Sequence, residues 1–379
     1  MKAIDLEHLE NLRLESISQA VAAKEKGAKI VGLYCTYCPR ELVIAAGAMP
    51  FGLCGTREVT AETELPRNLC PLIQSSYGLA VANQCPYFEI ADLIIGETTC
   101  DGKKKMFEIM DSKGLNDIYV MNLPQMPSEA ASLQLWIEEL KRLKSYLETK
   151  FEVVITDRAL REAIHFTNEE NRSRKRLFDL NKNGRALISG MDMMTVSSQV
   201  MFLADRMESV RILDELVDEI EADALSAAEN SSPKRILLTG TPVGIGSEKV
   251  IRLVEEGGGI VVAMENCSGY KTVDLNIDEA DPSDPLLLMA QKYLKTPCSV
   301  MSPNKGRLEL LKTMIRDFQV EGVIDLTWQA CLTYSVESYF VSEMVQNELG
   351  LPFLQIDTDY SQSDLERLRV RIEALLEMM

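Results

Sequence analysis

Nine cysteines are spread through 379 residues, and most stand where a short apolar run breaks off. Cys100 shows the pattern: Leu93-Ile-Ile95 stops at Gly96, and helical spacing resumes after Gly102. That predicts a buried parallel strand handing the chain to a helix, with the thiol at the junction. A thiol so placed meets unpaired backbone N–H groups and the positive end of the helix dipole, which favour the metal-binding thiolate. Cys35, Cys54, Cys267 and Cys331 hold equivalent places, at or a few residues beyond the carboxyl end of a predicted strand. Cys70, before Pro71, opens a helix leaving the same edge. Six sulfurs gathered from distant positions suit iron–sulfur ligation, where thiolates are the preferred ligands. Zinc is less well served, because Cys35-Thr-Tyr-Cys38 has no second close pair. Any one of these cysteines would serve equally as a small apolar filler, so the argument rests on matching positions. Cys85 and Cys298 follow helices. Cys85 is expected at the opposite edge of the sheet, roughly 20 Å away at the helical rise of 1.5 Å per residue. Cys38 precedes Pro39, as an N-cap would.

The elements that must position these residues read off in order. Residues 4–27 have helical spacing and stop at Gly27. Strands are expected at Lys29–Tyr34, Met49–Leu53, Leu93–Ile95 and Ile118–Leu123, separated by helices that begin near Pro39, Pro71 and Gly102. From Ser128 to about Asn230 the pattern is almost wholly helical. Trp136, Leu140, Leu143 and Leu147 form one apolar stripe there, and the basic run from Arg172 to Arg176 reads as a solvated helix face. Strands return at Arg235–Gly240, Ile260–Met264, Val320–Leu326 and Pro352–Ile356. The expected architecture is α/β: two doubly wound, Rossmann-like parallel-sheet domains, 1–127 and 231–379, joined by a helical connector, 128–230. The cleft between the carboxyl ends of their strands is the expected site.

Hydrophobic residues make up 46% and charged residues 26%, ordinary for a globular protein. The formal charge of −18 argues against nucleic acid or anionic membrane as partner. The N-terminal stretch reads as a charged amphipathic helix rather than a signal peptide, and no apolar run approaches membrane-spanning length. A reducing cytoplasm is expected, where cysteines are not a disulfide framework. The two histidines, His8 and His165, lie in helical segments and leave little material for His-based triads. Gly240-Thr-Pro-Val-Gly-Ile-Gly246 follows a strand but lacks the dinucleotide spacing, and Pro242 removes an N–H. A tight turn lining the cleft is expected there.

Several segments carry a resemblance. Asn68-Leu-Cys70-Pro-Leu-Ile-Gln-Ser, Gly96-Glu-Thr-Thr-Cys100-Asp-Gly-Lys-Lys-Lys-Met and Gln329-Ala-Cys331 resemble the cluster-binding regions of the 2-hydroxyacyl-CoA dehydratase and benzoyl-CoA reductase family. Tyr34-Cys-Thr-Tyr-Cys-Pro-Arg-Glu41, with Ala45-Ala-Gly47, is similar to that family's first strand–helix unit. The resemblance implies one four-iron cubane held by Cys70, Cys100 and Cys331. The surplus of Cys35, Cys54, Cys85 and Cys267 resembles the double-cubane branch, in which six cysteines hold an [8Fe-9S] centre. Topology selects Cys35, Cys54 and Cys267 for the second cubane, with Cys85, Cys38 and Cys298 as substitutes. The resemblance further implies a homodimer, an ATP-dependent iron–sulfur reductase partner, itself an activator-type homodimer, that delivers low-potential electrons, and reduction of small molecules such as acetylene, azide or hydrazine. Tyr34, Tyr37 and Glu97 border the expected site as candidate proton donors. Lys103, Lys104 and Lys105 would either moderate the cluster's charge or form a solvated helix start. Three other readings compete: a single-[4Fe-4S] subunit of a 2-hydroxyacyl-CoA dehydratase, a non-enzymatic electron-transfer or cluster-carrier protein, and a two-domain binding protein with cysteines as filler.

Overall fold

The computed structural model describes residues 4–59, 64–224 and 233–379. Two four-stranded parallel sheets organise it. The first holds β1 (Lys29–Leu33), β2 (Ala48–Gly52), β3 (Leu93–Glu97) and β4 (Ile118–Met121) in the order β2-β1-β3-β4. The second repeats that topology with β5 (Lys234–Gly240), β6 (Gly259–Met264), β7 (Gly322–Trp328) and β8 (Phe353–Thr358) in the order β6-β5-β7-β8. The two expected Rossmann-like units are therefore present. The order reverses between β1 and β3 and again between β5 and β7, which leaves a crevice at the carboxyl ends of each pair.

Helices α1 (Leu6–Glu25), α2 (Arg40–Ala45), α3 (Pro71–Val81), α4 (Pro86–Ile90) and α5 (Asp101–Ser112) accompany the first sheet. The middle of the chain forms α6 (Ala130–Phe151), α7 (Asp157–Asp179), α8 (Gly190–Val200) and α9 (Arg206–Ala224). The second half adds α10 (Lys249–Glu256), α11 (Pro285–Leu294), α12 (Lys305–Asp317), α13 (Leu332–Ser342) and α14 (Leu365–Glu377). The sequence boundary at Ser231 and the first three residues of the N-terminal helix pattern lie outside the described residues. No helix among the described residues is long and apolar enough to cross a membrane.

Alternation along the strands divides the apolar side chains of the first sheet between two cores. Ile30 and Ile94 join a core that runs through α3, α5 and α8 into the second sheet. Val31, Leu33, Leu93 and Ile95 join the other, with Trp136, Leu140, Leu143 and Leu147 of α6 and Met289 and Leu294 of α11. Each such fully buried Leu or Ile contributes roughly 1.5–3 kcal/mol relative to exposure. α11 belongs to the second half of the chain yet packs on the first sheet's helices. Glu41 of α2, completely buried, holds it there through Lys292 Nζ at 2.7 Å and the Tyr293 hydroxyl at 2.6 Å.

The carboxyl edges of the two sheets are tied directly. Thr56 Oγ1 donates to the Ile245 carbonyl at 2.9 Å, and the Tyr360 hydroxyl donates to the Gly55 carbonyl at 3.1 Å. The turn that makes this approach leaves β5 at Gly240, whose φ of +102° lies in the region glycine favours, and a Cβ there would fall on the Leu326 carbonyl oxygen. Gly240→Ala is therefore expected to cost at least roughly 1–3 kcal/mol, the usual range for enforced backbone strain, seen as a lower urea midpoint at unchanged slope.

Candidate metal centre

The cleft between the tied edges is a cavity of about 1440 Å³, and all nine cysteines line it. None is in a disulfide. Cys35 and Cys54 follow β1 and β2, Cys267 follows β6, and Cys100 and Cys331 cap the N-termini of α5 and α13. Cys70 caps α3, with Pro71 at the first helical position, where a missing N–H costs nothing. All six line this one cavity.

Cys85 and Cys298 depart from expectation, because both line the same cavity rather than a remote edge. α3 runs along the cavity wall instead of away from it, presenting Leu72, Ile73 and Leu79 on the way. Asn83, at φ +50°, then redirects the chain so that Cys85 caps α4. Cys298 arrives from α11, packed against the first sheet, and lies close enough to Cys267 for their charges to interact. Cys38 is buried one residue before the N-cap of α2, which is Pro39 itself.

Electrostatics sort the thiols. The Cys70 and Cys331 thiols hydrogen-bond to each other. That bond lowers the pKa of Cys70, helped by the N–H groups of Leu72 and Ile73, and raises that of Cys331. Cys100 is near enough to oppose ionisation of Cys70, so these three form one group. At Cys35, Cys38, Cys54, Cys85 and Cys298 desolvation dominates. Burial pushes Cys35 well up, and pushes Cys54 and Cys298 up to about 11. Lys103 opposes the shift at Cys35 and Cys54, and Lys271 opposes it at Cys298.

Lys103 belongs to the basic run singled out in the sequence, whereas Lys271 carried no sequence signal. Lys103 is 7% exposed, and its Nζ donates to the Tyr34 carbonyl at 2.9 Å, the same oxygen that accepts from Cys54 Sγ at 2.9 Å. Burial disfavours its charge, but Cys35, Glu97, Cys54 and Cys100 raise its pKa overall. Lys104 and Lys105 pair at the surface with Asp101 and Glu108, so the basic run divides between wall and solvent. Lys271 is fully buried, with Glu265 Oε1 at 3.0 Å and the Tyr334 hydroxyl at 2.7 Å. Beneath it Arg307, also fully buried, meets Glu265 Oε2 at 3.3 Å, Thr239 at 2.9 Å and Glu337.

Of the candidate proton donors, Tyr34 lines the cavity, its ring 5.5 Å from that of Phe107. Tyr37 lies behind the wall and donates its hydroxyl to the Thr296 carbonyl at 2.9 Å. Glu97 is completely buried, and neither carboxyl oxygen has a hydrogen-bond partner. Burial raises its pKa to about 7 against the pull of Lys103. The turn after β5 lines the cavity from Thr241 to Ile245, as expected of it.

Two features were misread or missed in the sequence. Within the basic run, Arg174 is buried against the cavity while Arg172 stays exposed, because α7 turns the face of Glu170, Asn171 and Arg174 inward. α13, directly after Cys331, leaves Leu332, Val336, Tyr339 and Phe340 exposed, an apolar stripe where no patch was expected.

The family model for "2-hydroxyglutaryl-CoA dehydratase, D-component" matches residues 35–379. The chain is 41% identical over 359 residues to the putative dehydratase subunit YjiM of Escherichia coli K12, covering 94% of this chain and 93% of that protein. It is 24% identical to the (R)-phenyllactyl-CoA dehydratase beta subunit of Clostridium sporogenes, over 94% and 93% of the two chains. It is 22% identical to subunit beta of the (R)-2-hydroxyglutaryl-CoA dehydratase of Acidaminococcus fermentans, over 94% of each.

Glu97 makes stability depend on pH. Its folded pKa, about 7, lies above the ordinary carboxyl value of 4.5, so its stabilising contribution is whole below pH 4.5 and is lost as pH rises through 7. Wild type is expected to lose about 3 kcal/mol relative to Glu97→Gln across that window, read from urea midpoints at each pH.

Proposed function

Because this chain belongs to the 2-hydroxyacyl-CoA dehydratase family, we propose that it is the iron–sulfur component of a reductase system. In this reading Cys35, Cys54, Cys70, Cys100, Cys267 and Cys331 hold a double-cubane [8Fe-9S] cluster. An ATP-dependent iron–sulfur reductase, an activator-type homodimer, supplies the electrons, and a small molecule is reduced. The observation that carries it is the meeting of every cysteine of the chain at one inter-sheet cavity.

The residues present suit such a group. Nine uncrosslinked thiols supply more than the three ligands of one cubane, and among the described residues no three His, Cys, Asp or Glu side chains lie close enough to share a single metal ion. In a cubane each thiolate binds a different iron, so ligands need not crowd one ion. When bound, the cluster supplies electrons singly at low potential.

The chain's own contribution is environment. Lys103 and Lys271 place two cations in the wall, which would offset the negative charge that thiolates bring. Lys103 stands beside Cys35, Cys54 and Cys100, which spans both proposed sets of ligands. Tyr34 and Glu97 are proton-bearing groups close enough to Cys54 for their charges to interact, and Tyr37 is held by Thr296 as support. The apolar stripe of α13 beside Cys331 supports docking of a protein at the point where an electron would enter. A homodimer and a cytoplasmic setting complete the reading.

A second reading is a single-[4Fe-4S] dehydratase subunit, a lyase component. It is favoured by the self-contained group of Cys70, Cys100 and Cys331 and by the beta-subunit names of the relatives. Iron and sulfide analysis of protein purified without oxygen separates the two. About eight irons per chain are expected, falling to about four or fewer with Cys267→Ser and unchanged with Cys85→Ser. Four irons in wild type would favour the second reading, and a reduced protein re-oxidised only by other proteins would remove the enzymatic part.

A further inference from the structure

The cavity has a second chemical character away from the sulfurs. Arg40, Arg174 and Arg206 all line it, and they share a single carboxylate, Glu170, which is 3% exposed. Arg40 Nη1 reaches Glu170 Oε2 at 3.1 Å and Arg206 Nε reaches Oε1 at 2.5 Å. Arg40 also donates to Asn171 Oδ1 at 3.3 Å, and Arg206 to the Met201 carbonyl at 2.6 Å. Arg174 is different. It is 5% exposed, and its Nε and Nη2 are buried with no hydrogen-bond partner.

Those two nitrogens form one edge of the guanidinium, the edge that grips a planar oxyanion through two parallel hydrogen bonds. A buried cation with that edge bare is costly, and Arg40 and Arg206 add repulsion rather than relief. Burial and those two neighbours push its pKa down to about 9, which leaves it charged at neutral pH. Ser197 of α8 also faces the cavity with a buried hydroxyl that has no partner. Three guanidinium groups against one carboxylate make this wall cationic inside a chain of formal charge −18. Since Glu170, Asn171 and Met201 already occupy the forks of Arg40 and Arg206, one two-pronged edge remains. That matches a carboxylate, with two oxygens in a plane, better than a phosphate, which needs donors around a tetrahedron.

We propose that Arg174 binds the carboxylate of a small organic acid, which places a carboxylate-bearing molecule in the same cavity as the cysteines. As a statement about substrate class this rests on the reductase reading, but the binding itself does not.

The test uses protein purified without oxygen, with iron measured on each sample. Thermal melts and titration calorimetry are run with acetate, succinate and inorganic phosphate, against chloride at equal ionic strength. Saturable stabilisation by acetate or succinate is expected in wild type, with affinity reduced roughly tenfold or more in Arg174→Gln, since two charge-assisted bonds are lost. Without added acid, Arg174→Gln should melt no lower than wild type, because it removes an uncompensated buried charge. Should that variant not fold, Arg174→Lys keeps the charge without the fork and is expected to lose the same preference for carboxylates, and Ser197→Ala reports on the hydroxyl. Stabilisation by phosphate alone, equal effects of all anions, or binding unchanged in Arg174→Gln and Arg174→Lys would each overturn the assignment. Iron content in these variants should equal that of wild type. Low iron in wild type with carboxylate binding intact would count against the reductase reading and leave this site standing.

Discussion

Two hydrogen bonds hold the carboxyl edges of the sheets together, Thr56 to Ile245 and Tyr360 to Gly55, and the site depends on that closure. Each sheet by itself offers an open crevice at its strand-order reversal. Facing each other at contact distance, the two crevices become one cavity. The contact requires small residues: a Cβ at Gly244 would meet Thr56 side-chain atoms at 2.8 Å, and one at Gly246 would meet the Arg57 Cβ at 2.7 Å. The Tyr360 ring, edge-on to Trp328 at 4.8 Å, ties the same seam to the end of β7, three residues before Cys331. A shift of this seam would move Cys267 and Cys331 relative to Cys35, Cys54, Cys70 and Cys100 together.

The wall has to carry charge without water, and the second domain shows how. Lys271 and Arg307 sit with Glu265 between them, and Asp325 and Glu337 lie on the far side of Arg307. Burial raises the pKa of Asp325 even against Arg307. Buried networks of this kind are poor sources of net stability, since desolvation consumes much of the Coulombic gain. Their value here is positional: they fix an ammonium group beside Cys267 and Cys298. In the first domain Lys103 does the same with a single backbone carbonyl as its fixed partner.

The sequence made the strands legible because both sheets are parallel and buried, giving short apolar runs with sharp ends. It made six cysteines legible for the same reason, since strand ends and helix starts are read from those breaks. Cys85 was misjudged because rise per residue gives the length of α3 but not its direction, and α3 runs along the cavity. Cys298 was misjudged because nothing local to α11 tells that it packs on the first sheet; its anchor, Glu41, is over 200 residues away. Lys271 and Arg174 illustrate a wider difficulty. A lone lysine after a strand, or an arginine inside a basic run, has the same local pattern whether it faces solvent or a wall. Only the partners, or the lack of them, distinguish the two.

The thiols themselves set a condition on assembly. Cys38, Cys70 and Cys298 are buried and most of the others half-buried, and desolvation favours the neutral thiol, whereas metal ligands must be thiolates. Were iron loaded as proposed, protons would have to leave the cavity, and each thiolate formed would make the next harder unless a cation were already nearby. Cys70 is the exception, with its acidity favoured by the Cys331 thiol and by two N–H groups of α3. On the proposed reading Cys70 would be favoured as a ligand, with Cys331 and Cys100 in its group, while Lys103 and Lys271 would offset the charge formed at Cys35, Cys54 and Cys298.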